Sequence, residues 1–531
     1  MNDISPYHTA TTTLTLREKV GQLFMPAAFI NDTEEEIRRL EDLIKTHKIG
    51  SLCFFHSRAS AATNFEGKKE VIYNENSLAT LKKLIRRYQK VSKIPLLIAI
   101  DAEWGLAMRI ENTPQFPYAI SLGAITHGTD LIFEVGRCIA RDCREAGIHW
   151  NLSPVADINN NPDNPVIGYR SFGEDKQKVA EKAVAYVKGT QSEGVLTSVK
   201  HFPGHGDTAT DSHLGLPLIE KTKETLLQNE LYPFRELVQQ GVDSVMVGHL
   251  AVPSLTQGKP IPATVSKEII KGVLRKELHF EGIVISDALN MHSVSKMYPQ
   301  KGELEWLAFD AGNDVLCFAE HVAEGIGTIL QKASETQIEE SFERVWRLKE
   351  KGYSKPFPTK GNPMSTSELN KALAAEILTL FKGDEATISA LIDEEFIGIS
   401  LGKGTETIFF ESISLSVPFK TFEPFQKVAP QLPPAENILL ALFPPQVKPT
   451  DNFGIGPEEI QWINELIRVK NVILYVFGNP YVLNKIRTRE AKAVVLAYQD
   501  FTVFQQLAAD HFLAIHSARG TLPVSIDSRA I

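Results

Sequence analysis

Apolar and polar positions along the N-terminal part of the chain follow one repeating unit, in which a stretch with apolar residues three and four apart leads into a short continuous apolar run. DTEEEIRRLEDLIKTHKIG sets Ile37, Leu40, Leu43 and Ile44 on one helical face and stops near Gly50, and SLCFF (51–55) follows as a strand. The unit recurs downstream. Helical patterns over 77–91, 130–146 and 175–193 precede PLLIAI (95–100), GIHWNLSPVA (147–156) and GVLTSV (194–199). Patterns over 222–241, 266–277 and 303–311 precede DSVMVG (243–248), GIVIS (282–286) and DVLCF (314–318). Ahead of them all, Thr15 and Glu18 have capping-box spacing, which predicts a helix opening at Thr15 and leading into the apolar run QLFMPAAFI (22–30).

With that first run the strands reach eight, and eight apolar strands spaced by amphipathic helices suit a (β/α)8 barrel. A doubly wound sheet is the alternative. The barrel is favoured because the count closes at eight and because polar residues gather at the strands' carboxyl ends: Asp101, Asp157, Lys200 with His201, His249 and Asp287. All would open on one mouth. The helix ending near Lys351 runs into GYSKPFPTKGNP, whose prolines and glycines read as a linker. The predicted organisation is therefore a barrel over 1–351, a linker over 352–364 and a smaller α/β sandwich over 365–531. In that second domain a helix over 368–381 precedes the strands FIGISL, NILLALF, NVILYVFG and AVVLAY, and no dense polar cluster suggests more than a supporting role.

Composition narrows the function classes. With 43% apolar and 23% charged residues, 56 basic against 65 acidic side chains and a net charge of −9, the chain has no basic stripe for a phosphate backbone, so nucleic acid is not expected as a partner. No apolar run approaches a membrane span, and the first residues lack the basic and apolar regions of an export signal, so a cytoplasmic enzyme is expected, or an exported one whose signal has been removed. Cys53, Cys138, Cys143 and Cys317 lie within apolar or helical patterns without CxxC spacing, which predicts reduced, buried thiols.

The densest chemistry lies in KHFPGHGDTATDSHLGLP, from Lys200 to Pro217, at the carboxyl end of the GVLTSV strand. Pro203, Gly204 and Gly206 exclude a helix there. Asp211 and His213 stand two apart, close enough for a carboxylate to orient an imidazole and raise its proton affinity, which makes a proton shuttle, although an exposed Asp and His in a loop have the same spacing. His201 and His205 have HxxxH spacing, but without a helix they do not share a face, so metal is not expected. Asp287, in VISDALNM, suits either a nucleophilic carboxylate in a barrel mouth or a helix cap.

KHFPGHGDTATDSH followed by GIVISDALNM resembles the signature pair of family 3 glycoside hydrolases, in the β-N-acetylglucosaminidase branch. REKVGQLF, IDAEWG with Arg109, PVADI, YRSFGED and AGNDVL match in order along the barrel, while VFGNPYVL and GTLPVSI match the second domain more weakly. The resemblance implies Asp287 as nucleophile, His213 paired with Asp211 as general acid and base, and Asp101, Arg109, Arg170, Lys200, His201 and His249 as contacts for the sugar. It further implies a retaining hydrolase that removes terminal β-linked N-acetylglucosamine from small carbohydrates such as peptidoglycan fragments, with no metal or organic cofactor. Phosphorolysis by the same residues and a non-catalytic amino-sugar-binding protein are the alternatives. One departure stands out: where the family pattern DxEGG has two glycines, this chain has Trp104 and Gly105, and a tryptophan there would stack on a sugar face or narrow the mouth.

Overall fold

The computed structural model describes residues 4–56, 73–208, 215–354, 364–425 and 431–527. They group into two compact units, the first made of Met1–Phe116, Ile132–Ile158 and Val179–Pro363, the second of Pro117–Leu131, Asn159–Lys178 and Met364–Ile531.

In the first unit every expected apolar run contributes strand. In chain order these are β1 (Phe24–Met25 and Ala27–Phe29, interrupted at Pro26), β2 (Ser51–Phe55), β3 (Leu97–Ile100), β4 (Trp150–Asn151), β5 (Leu196–Phe202), β6 (Ser244–Val247), β7 (Ile283–Ser286) and β8 (Leu316–Cys317). Neighbours pair in parallel from the second half of β1 through to β7. The ring then closes through β8. Ser286 N–H donates to Val315 O at 3.0 Å and Val315 N–H to Val284 O at 3.1 Å, and β8 pairs with the first half of β1 in the register Phe24↔Leu316 and Met25↔Cys317. Pro26 has no N–H for the ladder, but its carbonyl still accepts from Cys53 N–H at 3.1 Å, so the first strand bends without leaving the ring. The result is the expected (β/α)8 barrel, with strands buried on both faces as parallel strands must be when helices cover the outside.

The helices follow from their caps and apolar stripes. Thr15 and Thr33 each accept from the amide three residues on while Glu18 and Glu36 reach back, two full capping boxes. The helices Ser77–Val91, Asp130–Ala146 and Glu303–Ala311 run as the periodicity predicts. The pattern over 222–241 does not give one helix but two, Lys223–Gln228 and Tyr232–Gln239. The second starts with Pro233 in its first turn, where a missing N–H is harmless, whereas inside one continuous helix it would remove a bond.

The second unit is a sandwich about one sheet. Its strands are β9 (Thr379–Lys382), β10 (Phe396–Leu401), β11 (Lys420–Thr421), β12 (Asn437–Leu442), β13 (Asn471–Val476) and β14 (Ala493–Leu496), in the spatial order β9-β14-β13-β12-β10-β11. Only β9 is antiparallel. The expected helix over 368–381 is thus shorter, Thr366–Ile377: Leu378 turns to extended backbone and TLFK joins β14 as an edge strand. The division of the chain also departs from a single cut near 352–364, of which 355–363 lie outside the described residues. Segments 117–131 and 159–178 belong with the C-terminal part, because Asn159 Nδ2 donates to Tyr481 Oη at 2.8 Å, Gln499 Nε2 to Ser121 Oγ at 2.8 Å and Thr521 N–H to Ala124 O at 3.0 Å. All four cysteines are free, buried thiols, and among the described residues no helix is long and apolar enough to cross a membrane.

Charges at the amino ends of the barrel strands serve as staples. Asp243, just ahead of β6, accepts from Thr197 N–H and Oγ1 at 3.0 Å and from Gln191 Nε2 at 2.8 Å, and also pairs with Lys351. Asp314, ahead of β8, accepts from Arg275, Arg344, Ser341 Oγ and Val284 N–H. Lys349 is different in kind. It is fully buried, its ammonium donates to Gln22 Oε1 with no ion pair to a carboxylate among the described residues, and burial pushes its pKa down to about 7. In the unfolded chain the same amine titrates near 10.4. Between these values the unfolded state holds the proton that the folded state rejects, so stability should rise with pH from about 7 to about 10, by up to roughly 1.4 kcal/mol per unit. Urea unfolding at pH 7 and pH 9.5 should show that rise in the native chain and a flattened dependence in Lys349→Met; identical pH dependence in the two would mean that Lys349 is not the titrating group.

Candidate functional site

Because the barrel strands are parallel, their carboxyl ends share one rim, and polar side chains occupy it strand after strand. Asp101 follows β3 and accepts from Lys200 Nζ at 2.7 Å and from Arg109 Nη2 at 2.8 Å. Lys200, only 2% exposed and part of β5, also reaches Glu103 Oε1 at 2.8 Å, so one ammonium joins two carboxylates. Arg109 lies over the Phe55 ring at 5.3 Å. Burial alone would raise the Asp101 pKa; Lys200 and then Arg109 outweigh it and hold the carboxylate far below its usual range. A carboxylate, an ammonium and a forked guanidinium, ionised and fixed by one another, present acceptors and donors suited to a polyhydroxylated ligand.

The turn carrying Asp101 and Glu103 is set from behind. Asn151 Oδ1 accepts from Ala102 N–H at 3.0 Å, and the Tyr186 hydroxyl lies 3.1 Å from Ala102 O and 3.2 Å from Glu103 O. Gly105 has φ +107° and a Cβ there would stand 2.6 Å from Pro114 O, so the glycine is required, while the preceding position tolerates Trp104, which is half-buried. The departure from DxEGG falls on the residue that the backbone leaves open to choice.

A second cluster centres on Asp157, which is fully buried. Its carboxylate accepts from His201 N–H at 3.2 Å, His201 Nδ1 at 2.8 Å and His205 N–H at 2.7 Å. Burial works against ionisation, but the His201 ring and the His205 amide outweigh it and lower the Asp157 pKa. The bond from Nδ1 sets the orientation of the His201 ring. His205, 5.7 Å from His201 between ring centres, is pushed down to about 4 by burial and then by His201, although Asp157 and Asp287 pull the other way, so it is neutral at pH 7. Its Nδ1 lies 2.7 Å from Thr208 Oγ1. Beyond it Lys221 ties Asp207, at 3.1 Å, to Glu230, at 2.7 Å, which fastens the near end of the loop. Asp211 and His213, the expected proton shuttle, lie outside the described residues.

Asp287 stands one residue beyond β7. Its N–H donates to Val247 O at 2.9 Å, and its Oδ1 accepts from the next amide, Ala288 N–H, at 2.8 Å, a bond that aims the carboxylate. The buried Cys317 thiol marks where the clusters meet: a hydrogen bond with Cys53, burial, and then the carboxylates of Asp101 and Asp287 raise its pKa well above the usual thiol value. The barrel thus brings together Asp101, Arg109, Lys200, His201 and Asp287. His249 is fully buried, with Nδ1 2.7 Å from Thr264 Oγ1 and Nε2 2.9 Å from Ala288 O, so the ring expected among sugar contacts has protein partners at both nitrogens. Arg170 belongs to the second unit, where it ends the turn Gly168–Arg170 and donates to Val166 O at 3.3 Å. Glu103 was not among the expected site residues, and Asp157 was expected only as one of the polar residues at the barrel mouth; both sit in quoted motifs, IDAEWG and PVADI, but their partners come from a different strand and appear only in the fold.

Residues 15–348 match the family model described as glycosyl hydrolase family 3 N terminal domain. The chain belongs to glycosyl hydrolase family 3. This is the family that the loop and the VISDALNM segment resemble. Beta-hexosaminidase A of Pseudoalteromonas piscicida is 32% identical over 380 residues, covering 65% of this chain and 61% of its own length, so the chain spans about three fifths of that relative. Among solved structures, a glycoside hydrolase family 3 beta-N-acetylglucosaminidase from Paenibacillus sp. str. FPU-7 superposes with a TM-score of 0.75 at 26% identity, covering 97% of this chain and 99% of that one. Beta-glucoside phosphorylase BglX superposes with a TM-score of 0.79 at 20% identity, covering 98% of this chain and 95% of that one, and shows the shared fold.

The Asp157 cluster yields a test of its own. Asp157→Ala removes the carboxylate that accepts from two buried amides and an imidazole, and should cost about 3–5 kcal/mol in chemical denaturation, while Asp157→Asn, which keeps an acceptor oxygen, should lose less. Equal losses in the two variants would show that the negative charge, not side-chain volume or an acceptor oxygen, is what the site needs.

Proposed function

We propose that this chain is a retaining exo-β-N-acetylglucosaminidase that hydrolyses terminal, non-reducing β-linked N-acetylglucosamine through a covalent intermediate on Asp287. The observation that carries the reading is the Asp287 carboxylate, aimed by the Ala288 amide at the barrel mouth, with the Asp101–Lys200–Arg109 cluster on the same rim. Membership of family 3 supports the hydrolase class, and the names of its hexosaminidase and N-acetylglucosaminidase relatives support the sugar.

In the first step the Asp287 carboxylate attacks the anomeric carbon, forming an ester as the glycosidic bond breaks, and the His213 imidazolium, steadied by Asp211, gives its proton to the departing oxygen. In the second, neutral His213 takes a proton from water, the oxygen attacks the same carbon, and the ester opens to free Asp287 and an N-acetylglucosamine of retained configuration. Asp101, Arg109, Lys200 and His201 hold the sugar hydroxyls. Fragments of peptidoglycan are the substrate source we favour. No step calls for a metal or organic cofactor.

The test compares products and variants. A chromogenic β-N-acetylglucosaminide should turn over faster than the β-glucoside; preference for the plain glucoside would end the assignment of the sugar. Product analysis in phosphate buffer should give free N-acetylglucosamine, whereas N-acetylglucosamine 1-phosphate, with turnover rising steeply with phosphate, would replace water by phosphate as the second nucleophile. Asp287→Gly should lose about 10³-fold or more in kcat on every leaving group. His213→Gly should lose most on poor leaving groups, accumulate the covalent intermediate on activated ones, and be partly rescued by azide, which needs no general base.

A further inference from the structure

His249 was expected to touch the sugar, yet its geometry points along the protein. It follows β6 through Gly248, is fully buried, and spans two segments far apart in sequence: Thr264 Oγ1 lies 2.7 Å from Nδ1, and Ala288 O lies 2.9 Å from Nε2. A carbonyl oxygen only accepts, so Nε2 carries a proton whichever way the Thr264 hydroxyl turns. The imidazole is therefore a fixed donor to the carbonyl of the residue after Asp287. That residue's own amide aims the Asp287 carboxylate at 2.8 Å. The flanking amides complete the anchorage, Asp287 N–H on Val247 O at 2.9 Å and Leu289 N–H on Cys317 O at 3.0 Å.

We propose that His249 is a positioning residue for the nucleophile: through its Nε2–H it holds the Ala288–Leu289 peptide plane, which joins at the Ala288 Cα the plane whose N–H points at Asp287 Oδ1, and so limits how the residue that aims the carboxylate can turn. It is not a sugar contact. Among the described residues, the segment from Asp287 to Leu289 has a backbone tether to β6, a backbone tether to β8 and a side-chain tether from His249. Removing the side-chain tether leaves the chain path in place but lets the Ala288–Leu289 plane turn about its remaining tether at Leu289 N–H, and rotation at the Ala288 Cα then loosens the neighbouring amide that aims the carboxylate. Loss of angular control at a reacting atom lowers the rate of bond formation while leaving ground-state affinity nearly intact. Thr264 orients the ring in turn, as an outer partner does for a liganding histidine, and its hydroxyl also lies 3.1 Å from Gly248 O.

The inference rests on the reading of Asp287 as nucleophile, and the experiment separates the two. The full chain is treated with N-acetylglucosaminyl fluoride carrying a second fluorine at C5, which forms the glycosyl-enzyme quickly and releases it slowly, and the labelled peptide is identified by mass spectrometry. An adduct on Asp287 is expected in the native chain; an adduct on another residue overturns the nucleophile and with it the role of His249. The inactivation rate constant and the reagent's affinity are then measured for His249→Leu and His249→Gln, since a glutamine amide can place a donor where Nε2–H stood. His249→Leu should label about 10–100-fold more slowly with affinity within about threefold of native, and His249→Gln should recover most of the rate. Affinity falling while the rate constant holds would make His249 a sugar contact, and a glutamine variant as slow as the leucine variant would show that the donor is not what matters. Should His249→Leu fail to fold by thermal melting, Thr264→Val carries the test. That substitution keeps the shape and removes the hydroxyl on Nδ1, so a smaller fall in rate with unchanged affinity is expected, and an unchanged rate would overturn the proposal.

Discussion

Everything in the first unit depends on one closure. The strand ring is completed where β1, split by Pro26, gives its first half to β8 and its second half to β2. A proline in a central parallel strand removes a ladder donor. Here the loss falls at the changeover between partners, where the Pro26 carbonyl still accepts from Cys53 and the ladder to β8 has already passed through Met25. With the ring closed, each strand's direction and tilt follow from its neighbours, and side chains far apart in sequence, Asp101 and Lys200 among them, come within hydrogen-bonding reach without a loop having to be long or specially shaped.

The two ends of the same ring use charge differently. At the amino ends Asp243 and Asp314 are saturated by backbone amides, hydroxyls and cations from neighbouring segments, and function as staples between strand and helix. At the carboxyl ends Asp101 is fixed by a pair of cations, and Asp287 accepts from the amide of the residue that follows it. Position on the barrel axis, more than residue type, separates an aspartate that holds the fold from one that can meet a ligand.

Much of this was legible in the sequence. Parallel strands buried on both faces read as unbroken apolar runs, which is why all eight could be placed, and the helix start at Thr15 carries its own capping chemistry. Polar residues after five of the eight runs marked the rim. What was not legible is whatever depends on a partner from another strand. PVADI contains Asp157, but nothing in that segment says that its carboxylate will meet the His201 ring and the His205 amide. His249 followed a strand as Asp101 did, and only the fold shows that one faces a cation pair and the other a peptide carbonyl. The shortened helix ahead of β9 has the same cause: TLFK is apolar enough for either state, and an available sheet edge decides it.

The Asp101, Glu103, Lys200 and Arg109 cluster holds two acidic and two basic side chains, so when all are ionised the positive and negative charges cancel. An uncharged sugar can therefore enter without leaving an uncompensated charge in a buried place. The same balance limits how the chain can drift. Exchange of any one of the four for a neutral residue strands a charge behind it, at a cost of several kcal/mol, whereas exchange of an acid together with its cation does not. Over generations these positions should thus change in couples or stay as they are, and a descendant that lost one member would be expected to have lost its counterpart as well.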